Sequence, residues 1–461
     1  MNEKTLWEIY TQEDLAQLEQ VSEWYKGCID AGKTERECVA LSVSMAEEKG
    51  YAPLKDAIAA GRELKPGDKV YAVYNDKTIV LYHIGQEDLT KGMNILGAHI
   101  DSPRIDVKQV PLYESSGFAY LDTHYYGGIK KYQWVTIPLA LHGVIVRKDG
   151  SKVDICIGED DKDPVFTITD ILVHLSKKQM EKKAGAVIEG ENLDLLIGSK
   201  PLPDTEKEAV KAGILKLIAD TYQVEEEDFL SAELEIVPAG KARDLGFDRS
   251  MILGYGHDDR ICAFTSLRAM LEMEETPKRT SCCILVDKEE IGSYGASGMQ
   301  SRFFENMTAE VLALCGHGSD LAVRRCLASS KMLSSDVSAA FDPLYADVFE
   351  TKNTAYFGKG PVFCKYTGSG GKGGSSDANA EYMAAVRKVM ADNNVNFQTS
   401  ELGRVDAGGG GTIAWILANY GMEVIDSGIA LLCMHAPMEA ASKADIYEAV
   451  RCYKAFLKDM A

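Results

Sequence analysis

The chain has 461 residues, 46% hydrophobic and 26% charged, with a formal net charge of -20. That size predicts a large core and two domains, and the acidic balance argues against a nucleic-acid partner, whose phosphates need clustered Lys and Arg. No apolar run approaches the roughly 20 residues of a membrane span, and Met1-Asn-Glu-Lys-Thr-Leu-Trp-Glu has no signal-peptide core. The eleven cysteines form no CxxC pair, and several, such as Cys282-Cys283 and Cys433, lie inside apolar runs. They read as buried reduced thiols, which makes the cytoplasm the expected compartment.

Residues 1 to 60 read as helical; Cys38, Leu41 and Met45 recur at helical spacing and Gly50 offers a stop. Gly67–Tyr74 and Thr78–Tyr82 read as a hairpin turning at Asn75-Asp76, and a buried strand then ends at His99. From Ser102 to Phe247 the texture changes to short β-type runs: Phe118–Leu121, Trp134–Ile137, Gly143–Arg147, Val153–Ile157, Val165–Thr169 and Leu234–Val237. Lys148-Asp149-Gly150 marks a hairpin, and one helix is expected near Thr205–Gln223. After Asp258 the α/β alternation resumes, with an amphipathic helix over Asp259–Glu275 carrying Ile261, Phe264, Leu267 and Leu271 on one face. Helices follow near Thr308–Ala313 and Asn379–Asn393; Gly408–Thr412 is expected to open another, and a strand leading to His435 to close the sheet. The predicted fold class is therefore α/β: a mixed β-sheet flanked by helices, with an inserted β-rich domain. The domain boundaries read as 1–101 and 248–461 for the α/β part and 102–247 for the insert.

Five acidic or imidazole positions stand at the ends of apolar runs: His99-Ile-Asp101, Asp258-Asp259, Glu289-Glu290, Asp336 and His435. Ligand sites in open α/β sheets gather at the carboxyl ends of strands, so these positions can meet in space. Two His and several carboxylates, with one acid to spare, suit a hydrolytic site holding two divalent metal ions. Asp101 shares a strand face with His99 and can orient its ring. Asp258 and Asp259 fit a helix N-cap as well as a metal site, and in the second role Asp258 bridges two cations while Asp259 supports it. At Glu289-Glu290 two acids at a buried strand end repel unless cations neutralise them. Adjacent residues on extended chain point apart, so Glu290 is assigned as ligand and Glu289 as general base. Taken singly, Asp336 reads equally as a helix cap and His435 as a core histidine. The Gly368–Gly374 segment lacks the GxxxxGK[ST] spacing of a phosphate loop and reads as a mobile loop at a site mouth. Gly408–Thr412 offers backbone N–H groups for a substrate oxygen.

On these motifs the chain resembles the aspartyl aminopeptidase family of zinc metallopeptidases (clan MH), as a bacterial-type member. The resemblance rests on Gly97–Pro103, Asp258-Asp259, Asp287–Ser293, Ser335-Asp336, Gly360-Pro-Val362 and Met434-His435 with Glu439, and spans nearly the whole length. It implies a cocatalytic zinc pair, with cobalt or manganese as other possible metals, acting on peptides with a free N-terminus, and a homo-oligomer in the form of a tetrahedral dodecamer. Carried onto this sequence, it has His99 and Asp336 hold one metal, Glu290 and His435 the other, Asp258 bridge, Glu289 act as base and Asp101 orient His99. It also points to His174, in Phe166–Leu175, as a histidine of the insert that reaches a neighbouring protomer's site and steadies an oxyanion. One departure concerns selectivity. Where acid-preferring members carry a Lys after Gly-Pro-Val, this chain has Cys364, with Lys365 one place later and so on the opposite strand face. The expected activity is that of a metal-dependent aminopeptidase. A deacylase or carboxypeptidase of the same clan, a non-catalytic peptide-binding shell and an acidic scaffold are the competing readings.

Overall fold

The computed structural model describes residues 4–461. Four of its strands, Thr280–Val286, Met93–His99, Lys331–Ser335 and Glu423–Gly428, run parallel and side by side at the centre of a nine-stranded sheet. The first two are buried at every residue, as parallel strands covered on both faces require. Alternate residues feed two cores. Leu96, Ala98, Cys283, Leu285 and Leu333 join the helices Gln12–Ala31, His257–Leu271, Ala380–Asp392 and Lys443–Asp459. Ile95, Cys282, Ile284, Met332 and Val424 join Leu54–Ala60, Phe303–Leu314 and Ala414–Ala418 on the other face. The hairpin Lys69–Tyr74/Thr78–His83 flanks this centre, and Asn75 and Asp76 both take positive φ (52° and 55°), which a two-residue hairpin turn favours.

The chain divides into two units. One contains the chain up to Asp101, Ala242–Met434 and Glu439–Ala461; the other contains Ser102–Lys241 and His435–Met438. The second unit is built on a six-stranded antiparallel sheet in the order Lys152–Ile157, Leu139–Val146, Ala232–Pro238, Arg104–Ser115, Phe118–Tyr126, Leu195–Gly198. The first unit also carries a five-stranded sheet that includes Met251–Gly254, Glu439–Ser442 and Ala430–Leu432.

Several local expectations change. The first three residues of the helical stretch lie outside the described residues. The helix His257–Leu271 is not amphipathic: every residue but Arg268 is buried, because the helix lies between the sheet and the largely buried Lys443–Asp459. Trp134–Ile137 is buried at Trp134 yet is no strand; Thr136 has φ 61° and Pro138 has no N–H, so the run cannot hold a ladder. Val165–Thr169 makes only two single bridges, at Phe166 and Thr167. The two glycine segments pair with each other, Gly368–Ser369 against Gly409–Gly410, and the helix after them starts only at Ala414. Gly408–Thr412 is therefore not a helix N-terminus. The strand before His435, Ala430–Leu432, belongs to the five-stranded sheet, while Glu423–Gly428 occupies the large one. Cys433, beyond that strand's end, is exposed rather than buried.

One glycine fixes the approach of two strands near the carboxyl edge. A Cβ on Gly428 would lie 1.7 Å from the Asp336 carbonyl oxygen, while the Asp336 N–H donates to Ser427 O at 2.9 Å. Gly428→Ala is expected to cost about 1–3 kcal/mol, the usual range for overpacking, and to displace Asp336. Urea denaturation together with zinc content measures both effects.

Candidate active site

Register brings the site together. Val286 pairs with His99 and Gly97 pairs with Ser334 across adjacent parallel strands. The residues that follow each strand, Glu289-Glu290, Asp101 and Asp336, therefore emerge at one edge of the sheet. Asp258 comes from elsewhere, after Gly256 at φ 77°, in an extended first turn (φ -80°, ψ 109°) ahead of the regular helix. His99 Nε2 lies 3.3 Å from Asp258 Oδ1, 3.8 Å from Asp336 Oδ1 and 3.9 Å from Glu289 Oε2. Two sets, His99–Asp258–Asp336 and His99–Glu289–Glu290, each offer ligand atoms within 4.8 Å of one another.

Asp101 does more than sequence reasoning asked of it. His99 Nδ1 lies 3.0 Å from the Asp101 backbone carbonyl and 3.3 Å from its Oδ1, so the nitrogen that faces the acids is Nε2. The two Asp101 carboxylate oxygens accept from the backbone N–H groups of Glu289 and Glu290, both at 3.1 Å. Glu289-Glu290 is not extended: Lys288 at φ 70° turns the chain into a short 3-10 turn, Glu289–Ile291. The acids are thus fixed by a main-chain clamp, and strand alternation plays no part in separating them. Glu439 was named in the sequence without a role; its Oε2 accepts from the Asp258 N–H at 3.1 Å, since Gly254 pairs with Glu439 in the five-stranded sheet.

The electrostatics are those of crowded, desolvated acids. Burial raises Glu289 to about 8; His99 opposes the rise, and the charges of Asp336, Asp101 and Asp258 add to it. Burial by itself lowers His99, but Asp101, Asp258 and Asp336 together outweigh it and hold the imidazole well above its ordinary value. Asp259 is fully buried, and burial, then Asp336, push its carboxyl well above the usual range. A cluster of acids sharing one imidazole is the environment that divalent cations offset.

The remaining positions are described within their own units. His435 follows Ala430–Leu432 with φ 65°, and its Nδ1 lies 2.8 Å from the Gly128 carbonyl. His174 lies on the exposed turn Val173–Leu175 and belongs to none of the ligand sets. Cys364 is buried at the end of Val362–Cys364, whereas Lys365 is exposed and paired with Asp377 at 2.9 Å. Sequence reasoning passed over Asp426, a buried acid that accepts from the Thr412 hydroxyl and that burial raises to about 7. The signal was available: a lone acid interrupts the otherwise uncharged run Val424–Ala430.

The family model for the aminopeptidase I zinc metalloproteases (M18) matches residues 28–457. A curated relative from Clostridium acetobutylicum, named "Probable M18 family aminopeptidase 1", is 59% identical over 457 residues, covering 99% of this chain and 98% of its own. The crystal structure of aminopeptidase I from that organism superposes with a TM-score of 0.93 at 58% identity over all of both chains. That of an M18-family aminopeptidase from Thermotoga maritima gives a TM-score of 0.94 at 43% identity, covering 99% of each chain.

Asp101→Asn retains the shape of the side chain but replaces one of the two acceptor oxygens with a donor. A change of this kind behind a ligand set is expected to weaken zinc binding by about 10–100-fold. Competition against a chelating dye measures it, and an unaltered affinity would remove the clamp's role.

Proposed function

The chain belongs to the aminopeptidase I zinc metalloprotease family (M18), and we propose that it removes N-terminal residues from peptides with a pair of divalent ions and Glu289 as general base. It is a metal-dependent aminopeptidase by that membership. The observation that carries the reading of the site is the convergence of His99, Asp258, Asp336, Glu289 and Glu290 at one edge of the central sheet.

The donor set fits the ions. Imidazole nitrogen and carboxylate oxygen are the ligand types that zinc takes, and buried acids this close require cations. His99 and Asp336 would hold one ion, Glu290 and His435 the other, and Asp258 would bridge them. When bound, such ions polarise the peptide carbonyl and acidify water at the site. Zinc is the family's metal; cobalt or manganese would suit the same donors.

The protein's own groups carry the proton. Glu289, a largely buried carboxylate beside the ligand set, is suited to taking a proton from water and holding it until the amine departs. It takes that proton as the water attacks the scissile carbonyl and gives it to the departing amine. Asp101 holds Glu289 and Glu290 in place through their backbone N–H groups and faces His99 Nδ1. The substrate's free α-amine finds acidic partners in the same cluster, which suits exopeptidase action. A deacylase of the same clan would act on N-acylated peptides instead, so paired free-amine and N-acyl substrates separate the two.

For assembly we propose a homo-oligomer, the tetrahedral dodecamer that the family resemblance implies. The turn around His174 supports it: Ile171, Leu172, Val173 and Leu175 are 47%, 55%, 74% and 68% exposed, an apolar run that suits burial against another copy. In that setting His174 would steady the developing oxyanion of a neighbouring site. The cytoplasm is the proposed compartment, in keeping with eleven cysteines that form no disulfide.

Glu289→Gln is expected to lower kcat by at least about 10²–10⁴-fold, the range for a lost general base, while metal content stays at that of the wild type. A near-normal rate would sink the assignment. His174→Ala is expected to lower kcat by about 10²–10³-fold with little change in KM, as for a lost oxyanion donor. Mixing it with Glu289→Gln protomers should restore part of the rate if the histidine serves a neighbour.

A further inference from the structure

Three side chains of metal-binding type meet at the edge of the six-stranded sheet, and the reaction described above uses none of them. His142 pairs directly with Cys156 where Leu139–Val146 and Lys152–Ile157 run antiparallel, so the two side chains leave the same face. Cys156 Sγ and a ring nitrogen of His142 lie within 4.8 Å of each other. Just past the strand, Gly158 at φ 114° sits so close to Ala140 that a Cβ there would lie 3.0 Å from the Ala140 Cα. That turn brings Glu159 back to the imidazole, with Oε1 3.2 Å from His142 Nε2. The other carboxylate oxygen accepts from the Gly240 N–H at 3.3 Å, which fixes its direction. The imidazole is 2% exposed, the Glu159 side chain 19%, and Cys156 stands open to solvent. On the inner side of His142, its cross-strand partner Glu235 is matched in charge by Arg104 Nε at 3.2 Å.

We propose that His142, Cys156 and Glu159 hold one zinc-class ion, in a site separate from the proposed peptidase pair. Zinc takes nitrogen, oxygen and sulfur ligands at about 2.0–2.3 Å, and tetrahedral geometry then sets the nitrogen and oxygen about 3.3 Å apart. The 3.2 Å between Nε2 and Oε1 meets that spacing. A hydrogen bond alone meets it too, and the thiol is what separates the two readings. A thiolate beside the imidazole and the carboxylate makes a donor set that favours zinc over magnesium, calcium and manganese. Water completes the tetrahedron from the exposed Cys156 side. Lys152–Ile157 is the outermost strand on this side of the sheet, so the ion fastens that edge to its neighbour and to the turn that follows it.

The test is a cobalt titration of the full-length protein after its metals have been removed. The ligands proposed for the peptidase site are imidazole and carboxylate, so a sulfur-to-cobalt charge-transfer band in the near ultraviolet reports a thiolate ligand outside that set. Wild type is expected to take up one cobalt equivalent beyond the proposed pair and to develop the band as it does. Cys156→Ser, at an exposed position that leaves the fold undisturbed, should lose both the band and the extra equivalent, and His142→Gln should lose them too. Zinc should slow amide exchange across Lys152–Ile157 in wild type and leave it unchanged in Cys156→Ser. A wild type without the band at saturating cobalt, or a band that outlasts Cys156→Ser, overturns the site. Exchange in the edge strand that ignores zinc overturns its fastening role.

Discussion

Mutual repulsion among desolvated carboxylates is the constraint on which this molecule turns. Asp258, Asp336 and Glu289 face a single imidazole, with fully buried Asp259 behind them. Burial and neighbouring charge raise Glu289 and Asp259, so the cluster is costly on its own terms. The cost is confined because the acids occupy the ends of strands whose interiors are apolar and densely packed. In the proposed site the scaffold resists separation of the crowded acids, so binding energy for the ions would arise from repulsion that the fold already holds.

The scaffold does this through register. Adjacent parallel strands end nearly level, so short connections place their first residues side by side. The close contact at Gly428 and the pairing of Gly254 with Glu439 extend the same logic to Asp336 and Asp258. Precision here comes from backbone ladders, which are stiffer than any arrangement of side chains alone.

Much of this was legible in the sequence, and the physical reason is periodicity. Fully apolar runs such as Ile95–Ala98 and Cys282–Val286 read as buried strands, and polar residues at their ends mark the carboxyl edge. Family membership and the α/β class followed from those motifs and are borne out by the family model and by the superposed relatives. What escaped depends on backbone angles and long-range pairing, which composition does not encode. Trp134–Ile137 has strand composition, but the positive φ at Thr136 bars it from a sheet. Arg104–Ser115, a strand of twelve residues, carries so many charged and polar side chains that it went unread. The glycine runs looked like separate loops because their pairing joins residues about forty positions apart. The helix after Asp258 looked two-sided because its polar residues, Thr265 and Ser266 among them, are buried rather than solvated.

The clamp at Asp101 has a further implication for which ions this cage tolerates. Its carboxylate grips the peptide N–H groups of the two glutamates, so these walls are tied to main chain instead of to flexible side-chain tips. A wall of that kind cannot easily retreat to admit six to eight oxygen ligands at 2.3–2.6 Å, the coordination calcium seeks. Small ions content with few donors would keep the advantage in the proposed site, so discrimination against calcium would rest on hydrogen bonds that never touch the ion.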